Sequence, residues 1–290
     1  MFDIAIISPV YDLELSDEMS HLYMVLSWLC KEDPQYKSHF SNIKRNYNDA
    51  YVILDNGMNE NKMSSDSEII STAYEINADE IICPDAYLNA DETIKRTKTF
   101  LDTHYDKYIK DKFNVMAVLQ GFDNDSFLKC YNEFLKDERI SFLGVGYRNL
   151  MKPFKNEIEN WKPSGINTEM LKQELTNDCY CYTMSRLYFL KNILNFDALK
   201  ENDKSIHLLG IYNPVELSFY KTIFNDKELL YIRGCDSASP CQAAQANIPF
   251  DKQFGVKDKP KALLDFDRRM DGNVNRLAKY NINIMKDWVK

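Results

Sequence analysis

A repeating unit constrains this chain more than any other feature: a short apolar run, a turn holding Gly, Asp, Asn or Pro, then a stretch with helical periodicity. Residues 3–8 form the first run, and residues 51–54 lead into Asp55-Asn56-Gly57. Residues 80–83 lead into Pro84-Asp85, residues 115–119 into Gln120-Gly121, and residues 140–143 into Gly144-Val145-Gly146. Ile206 to Leu209 reaches Gly210, and Leu230 to Ile232 reaches Gly234-Cys235-Asp236. Strands that alternate with helices must run parallel, because the intervening helix returns the chain to the same end of the sheet, and such crossovers are right-handed. About eight such units in 290 residues predict an α/β chain, a single-domain (β/α)8 barrel over 1–290, with the eighth strand near Ile248. An open doubly wound sheet is the alternative architecture.

The connecting segments read as amphipathic helices. Residues 68–77 put Ile69, Ala73 and Ile76 on one face. Asn89 with Glu92 forms a capping box ahead of a helix with Ile94, Leu101 and Tyr105 aligned, and Phe127, Cys130, Tyr131 and Phe134 align on the next. Asn213-Pro214 with Glu216 starts another helix, as does Ser239-Pro240 with Gln242, Ser239 serving as N-cap. Val274, Leu277, Ala278, Ile284, Met285 and Trp288 line one face of the last helix. A helical insertion at about 150–200, with a Pro/Gly loop at 162–165, interrupts the rhythm.

At 44% hydrophobic content the chain can bury a large core, yet no apolar run approaches the roughly 18 to 20 residues of a membrane helix. The N-terminus lacks the basic segment and cleavage site of a signal peptide, which predicts a soluble cytoplasmic protein without a membrane partner. Seven dispersed cysteines fit reduced thiols, and the scattered His21, His39, His104 and His207 give no metal-ligand spacing around Cys179 and Cys181. Cys235 and Cys241 flank Asp236 either as packing or as reactive thiols. A net charge of −8 argues against nonspecific coating of nucleic acid. A local basic groove remains available to Arg148, Lys152, Lys155, Arg233, Arg268 and Arg269. No Gly-x-Gly-x-x-Gly follows the first strand, and no phosphate-binding lysine loop occurs, so a nucleotide cofactor has no support.

In a parallel barrel, residues at strand C-termini converge on one mouth. Asp55, Asp85, Gln120, Gly144, Val145, Gly146, Gly210 and Asp236 occupy those positions. Paired carboxylates suit acid/base and covalent catalysis at an acetal-like carbon. A glutamine with exposed backbone groups reads the edge of a planar base, and glycines let it approach, which points to chemistry at a nucleoside C1′. Three carboxylates could instead hold Mg2+, and each acid alone also fits an ordinary turn residue.

These motifs, in their order and spacing, resemble the tRNA-guanine transglycosylases, and most of all the bacteriophage branch that puts 7-deazaguanine bases into DNA. The resemblance rests on Asp55-Asn56-Gly57, Asp85, Val118 to Gly121, Leu143 to Gly146, His207 to Pro214 and Gly234 to Pro240, and spans about residue 50 to the C-terminus. It implies a (β/α)8 barrel and a pentosyltransferase that exchanges bases without a cofactor. Asp236, with Pro240 four residues on, takes the place of the nucleophile, and Asp55 that of the proton-transferring acid/base. Asp85 and Gln120 match residues that hydrogen-bond the base, Gly144, Val145 and Gly146 the loop beside it, and Leu209, next to Gly210, an apolar residue on its face. The implied partners are guanine-containing DNA, its target base flipped from the stack, and a free 7-deazaguanine base such as preQ0. A homodimer is compatible with this reading, and a viral protein of this kind would act in the host cytoplasm.

The departures matter as well. The family's zinc cysteines are missing, and Tyr280-Asn281 stands where a His-Asn pair is expected, so no metal is expected. Gln242 and Gln245 replace arginines that grip the anticodon loop, which favours DNA over tRNA. Met58 and Asn59 replace a glycine and an aromatic, so base stacking is arranged differently. A tRNA-directed enzyme, a catalytically silent nucleic-acid-binding barrel, a nucleoside hydrolase and a metal hydrolase are the competing readings.

Overall fold

The structure, a computed structural model, describes residues 3–258, 260 and 262–289. Eight parallel strands form one sheet: β1 (Asp3–Ile6), β2 (Leu22–Leu26), β3 (Tyr51–Asp55), β4 (Glu80–Ile82), β5 (Asn114–Val118), β6 (Phe142–Gly144), β7 (Ser205–Leu208) and β8 (Ile232–Ser237). Their order, β1-β8-β7-β6-β5-β4-β3-β2, with helices between strands, is that of a (β/α)8 barrel. The helices are α1 (Ser27–Glu32), α2 (Pro34–Asn46), α3 (Asp66–Glu75), α4 (Ala90–His104), α5 (Asn124–Leu135), α6 (Tyr147–Ile158), α7 (Thr168–Glu174), α8 (Asn177–Tyr188), α9 (Phe196–Glu201), α10 (Glu216–Ile223), α11 (Asp226–Leu229), α12 (Ser239–Gln245) and α13 (Gly272–Val289). Residue contacts divide the chain into two compact units. One comprises His21–Val145 and Asp197–His207; the other comprises the described residues of Met1–Ser20, Gly146–Phe196 and Leu208–Lys290.

In the first unit, β2 pairs with β3 from Leu22↔Tyr51 to Leu26↔Asp55, and β3 to β7 follow in parallel register. Val52, Ile53 and Leu54 are all buried, as strands covered on both faces must be, which is why they read as unbroken apolar runs. The eighth strand is therefore Leu22–Leu26, and the segment near Ile248 is not a strand: the Ile248 amide donates to Ala243 O at the end of α12. The sequence hides β2 because helix α1 follows at Ser27 without a Gly, Pro or Asp between them.

Helix α4 also departs from expectation. Its buried face is Ala90, Thr93, Thr97, Phe100 and Leu101, while Ile94 and Tyr105 are half-buried. The two threonines are tolerated inside because they bond the loop after β4. Thr93 Oγ1 donates to Ala86 O (3.0 Å) and accepts from Ala86 N (2.9 Å), and Thr97 Oγ1 donates to Pro84 O (3.2 Å). That loop carries Asp85. Helix α3 begins at Asp66, two residues ahead of the expected start, because Ser65 and Glu68 form a capping box.

In the second unit, β1 pairs with β8 from Asp3↔Gly234 to Ile6↔Ser237. β8 runs further than its apolar start suggests: Leu230 is exposed, and the strand carries through Gly234 and Asp236. Gly234 is needed for close approach between strands, since a Cβ there would lie 2.4 Å from Asp3 O. Helices α6, α7, α8 and α9 occupy the 150–200 insertion.

One expected helix start differs in the structure. Ser239 lies inside α12 rather than capping it; Ala238 is the N-cap, and Ser239 Oγ donates to Tyr212 O (3.2 Å). Asn213 leads into α10, which begins at Glu216, as expected: its Oδ1 accepts from Val215 N (3.2 Å) and its carbonyl from Glu216 N (3.1 Å). Its Nδ2 donates to Phe254 O (3.1 Å) and Val256 O (3.0 Å), and its Oδ1 also accepts from Val256 N (3.0 Å), so it fastens the segment after α12 as well. Asn281 does similar work from α13, accepting from Phe250 N (2.8 Å) and donating to Pro240 O and Ile248 O (both 3.2 Å).

Candidate functional site

In the first unit, the ends of β3, β4 and β5 assemble a buried polar triad of Asn56, Asp85 and Gln120. Asp85 is 2% exposed, Gln120 3% and Asn56 1%. Asn56 Nδ2 donates to Asp85 Oδ1 (2.9 Å), and Gln120 Nε2 donates to Asp85 Oδ2 (2.6 Å). Backbone groups fix the orientation of both amides. Asn56 Nδ2 also donates to Cys83 O (2.7 Å) while its Oδ1 accepts from Met58 N (2.8 Å), and Gln120 Oε1 accepts from Leu88 N (2.9 Å). Each carboxylate oxygen thus receives an N–H and cannot receive a carbonyl. Burial pushes the Asp85 carboxyl above the usual carboxylate range, and the hydrogen bonds from Asn56 and Gln120 pull the other way without cancelling it. Arg96 Nη1 donates to Asp85 O (2.9 Å), and Leu88 adopts a left-handed φ of 53° that carries its amide to Gln120.

Asp55 closes β3 and is half-buried, its Oδ2 accepting from Gly57 N (3.0 Å). The turn demands glycine: Gly57 has φ 81°, and a Cβ would meet Lys62 O at 2.4 Å. Lys62 N donates to Gly57 O (3.0 Å) and Ser64 N to Asn56 O (3.0 Å), so the loop folds back on itself. Gly144 ends β6, and Val145 N donates to His207 O (2.8 Å) on β7.

In the second unit, Asp236 lies near the end of β8, 6% exposed, and its Oδ1 accepts from Gly210 N (3.1 Å). Two predicted residues, Gly210 and Asp236, are thereby joined, with Leu209 in the same peptide. Gly210 has φ 65°, and Tyr147 Cε1 would stand 3.0 Å from a Cβ there. Tyr147, Tyr182 and Tyr212 pack around this turn with ring centroids 4.8 to 5.2 Å apart. Gly146 is the N-cap of α6. Beneath the Leu209–Gly210 peptide sits a fully buried ion pair that sequence reading missed. Arg186 Nε and Nη2 donate to Glu216 Oε1 (2.7 Å) and Oε2 (2.8 Å), and Tyr220 Oη donates to Glu216 Oε1 (2.6 Å). Burial disfavours the Arg186 charge, yet the Glu216 carboxylate beside it holds the guanidinium above its ordinary value.

Arg148, Lys152 and Lys155 are exposed on α6, and Arg268 and Arg269 are exposed in the segment before α13. Arg233 is half-buried within β8, on the strand face opposite Asp236. Arg268 Nη1 donates to Gln245 O (3.2 Å). Gln242 Nε2 donates to Ala262 O (2.7 Å) and Gln245 Nε2 to Asp265 O (2.8 Å), so both glutamines tether the segment after α12. All seven cysteines are buried and free, and burial pushes the Cys235 and Cys241 thiols up, making them packing groups. Among the described residues, no three His, Cys, Asp or Glu side chains group as a metal site, and no helix is long and apolar enough to cross a membrane.

Asn56 carried a readable signal, since it stands inside the Asp55-Asn56-Gly57 turn. Arg186, Glu216 and Tyr220 carried none, because they sit on two helices whose packing the sequence does not announce.

No family model matches the chain, and no curated protein matches it. Among solved structures the chain is similar to a malate synthase of Haloferax volcanii, solved as a pyruvate/acetyl-CoA ternary complex, at 8% identity and a TM-score of 0.44. The match covers 85% of this chain and 68% of that one, and at this level carries no argument about function.

Proposed function

We propose that the protein is a base-exchange transglycosylase that replaces guanine in DNA with a 7-deazaguanine base through a covalent aspartyl-glycosyl intermediate. The observation that carries this reading is the donor and acceptor pattern of Asp85 and Gln120. With its amide orientation fixed, Gln120 Nε2 has a second hydrogen beyond the one given to Asp85, and a carboxylate oxygen can accept more than the one N–H that Asn56 or Gln120 gives it. In order, that is donor, acceptor, acceptor. A guanine or 7-deazaguanine edge offers the complement, the O6 acceptor followed by the N1–H and exocyclic N–H donors, whereas adenine does not.

In the proposed reaction Asp236 bonds to C1′ as the bond from C1′ to guanine N9 breaks, and Asp55 supplies the proton that the departing guanine takes up. The incoming base gives its N9 proton to Asp55, and its N9 displaces Asp236 from C1′, so two displacements return the original configuration. The use of Gln242 and Gln245 as internal tethers supports DNA over tRNA, because the anticodon-gripping arginines of the tRNA enzymes have no counterpart there.

The test is to incubate the protein with guanine-containing DNA and, separately, with tRNA, add a radiolabelled 7-deazaguanine base, and follow label into polymer. Label enters the DNA, and unlabelled guanine leaves in equal amount. Guanine release without incorporation would identify a hydrolase, incorporation only into tRNA would move the substrate, and no reaction on either polymer would end the proposal.

A further inference from the structure

We propose that Arg186 is a positioning residue for Asp236, acting through the single peptide that joins Leu209 to Gly210. The two ends of that peptide are both engaged. Its carbonyl, Leu209 O, accepts from Arg186 Nη1 (3.1 Å), and its N–H, on Gly210, donates to Asp236 Oδ1 (3.1 Å). The next carbonyl, Gly210 O, accepts from the same Nη1 at 2.8 Å. A buried cation on the oxygen side pulls electron density towards itself and leaves the N–H a stronger donor, and hydrogen bonds in series strengthen one another in this way. The peptide dipole therefore points from the guanidinium to the carboxylate.

The rest of the arrangement keeps that dipole from turning. Arg186 is fixed by its two bonds to Glu216, and Glu216 is fixed in turn by Tyr220. All three side chains are buried, so water does not compete for them. Gly210 holds φ 65°, and Tyr147 closes the space a side chain would need. Replacing the pair with apolar groups is often neutral or stabilising, so stability alone is a weak reason for a buried Arg and Glu here. An ion pair in contact with the peptide that holds Asp236 has a further task, orienting the carboxylate through the Gly210 N–H on Oδ1. Its catalytic consequence rests on the assignment of Asp236 as nucleophile; the hydrogen-bonded relay does not.

The chain offers a direct probe. Nine glycines are present, and only Gly144 and Gly210 follow leucine, so carbonyl-13C leucine with 15N-glycine labelling isolates two amide resonances. Asp236→Asn moves one of them, which identifies Gly210 and gives the size of the displacement caused by the carboxylate. In Arg186→Met that displacement shrinks, and in Arg186→Lys, which keeps a charge, it is partly restored. Should Arg186→Met fail to fold, the paired variant Arg186→Met with Glu216→Leu removes both charges and gives the same reading. An unchanged Asp236→Asn displacement in a folded variant lacking Arg186 overturns the proposal. Where base exchange is detected, the same variants lower kcat about tenfold or more with KM held, because Arg186 touches no ligand. An effect on KM alone counts against it. If wild-type protein shows no exchange, the transglycosylase reading fails while the resonance measurement still decides the relay.

Discussion

Replacing Gln120 with methionine removes the polar end of the side chain while keeping its length, and two hydrogen bonds disappear. Asp85 Oδ2 loses a donor at 2.6 Å, and Leu88 N loses its acceptor at 2.9 Å. With Asp85 ionised, the first loss is that of a charge-assisted bond, about 1.5–3 kcal/mol, and the unsatisfied amide adds about 1–3 kcal/mol. With Asp85 protonated, the first loss falls to that of a neutral bond, about 0.5–1.5 kcal/mol, and the second is unchanged. The variant is therefore less stable than wild type at every pH, by about 1 kcal/mol more where Asp85 is ionised.

The sign follows from burial. Asp85 holds its proton to higher pH in the fold than in the unfolded chain, so in that interval the native state binds more protons than the unfolded state. Its contribution to wild-type stability is full below the ordinary aspartate value near 3.9 and is lost as pH rises through the raised folded value. Removing Gln120, one of the bonds that favours the carboxylate, raises that value further and steepens the loss. Urea unfolding of both proteins, followed by tryptophan fluorescence from about pH 4 to about pH 9, gives the difference directly. A loss that is constant over this range, or greater at the acid end, would refute the claim that Gln120 supports an ionisable Asp85.

Two further outcomes follow from the same geometry. Binding of guanine or a 7-deazaguanine base, measured by titration calorimetry, tightens as pH rises through the Asp85 titration, since two N–H donors require two acceptors on one carboxylate; affinity that is flat with pH contradicts the assigned edge. Asn281→Leu strips partners from Phe250 N, Pro240 O and Ile248 O, costs about 2–5 kcal/mol and exposes the segment after α12 to protease, so an unchanged nicking rate there argues against its tethering role.

Most strands were legible in the sequence because a strand buried on both faces must be apolar throughout and must end where a turn residue stops it. That logic fails at Leu22–Leu26, where α1 starts without a break, and at β8, where Leu230 is apolar but exposed and the strand itself carries Arg233 and Asp236. The link from Asp85 to Gln120 was readable as two strand ends in succession. The Asn56 contact was nearly so, since Asn56 lies between Asp55 and Gly57 in the turn that ends β3. The Arg186–Glu216 pair was not, because two charges 30 residues apart look like ordinary surface groups until the helices are packed. The capping signal misled at Ser239 for a related reason: its short polar side chain found a partner distant in sequence, Tyr212 O, that competes with the local cap.

The central claim is that Asp236 becomes covalently joined to the sugar during exchange. The direct measurement is intact-mass and peptide mass spectrometry of protein incubated with guanine-containing DNA and quenched in denaturant. The account predicts a DNA–protein adduct on the peptide containing Asp236 that is absent in Asp236→Asn and that disappears when a 7-deazaguanine base is added before the quench. An adduct that persists in Asp236→Asn, or label entering DNA with the Asp236→Asn protein, would contradict it.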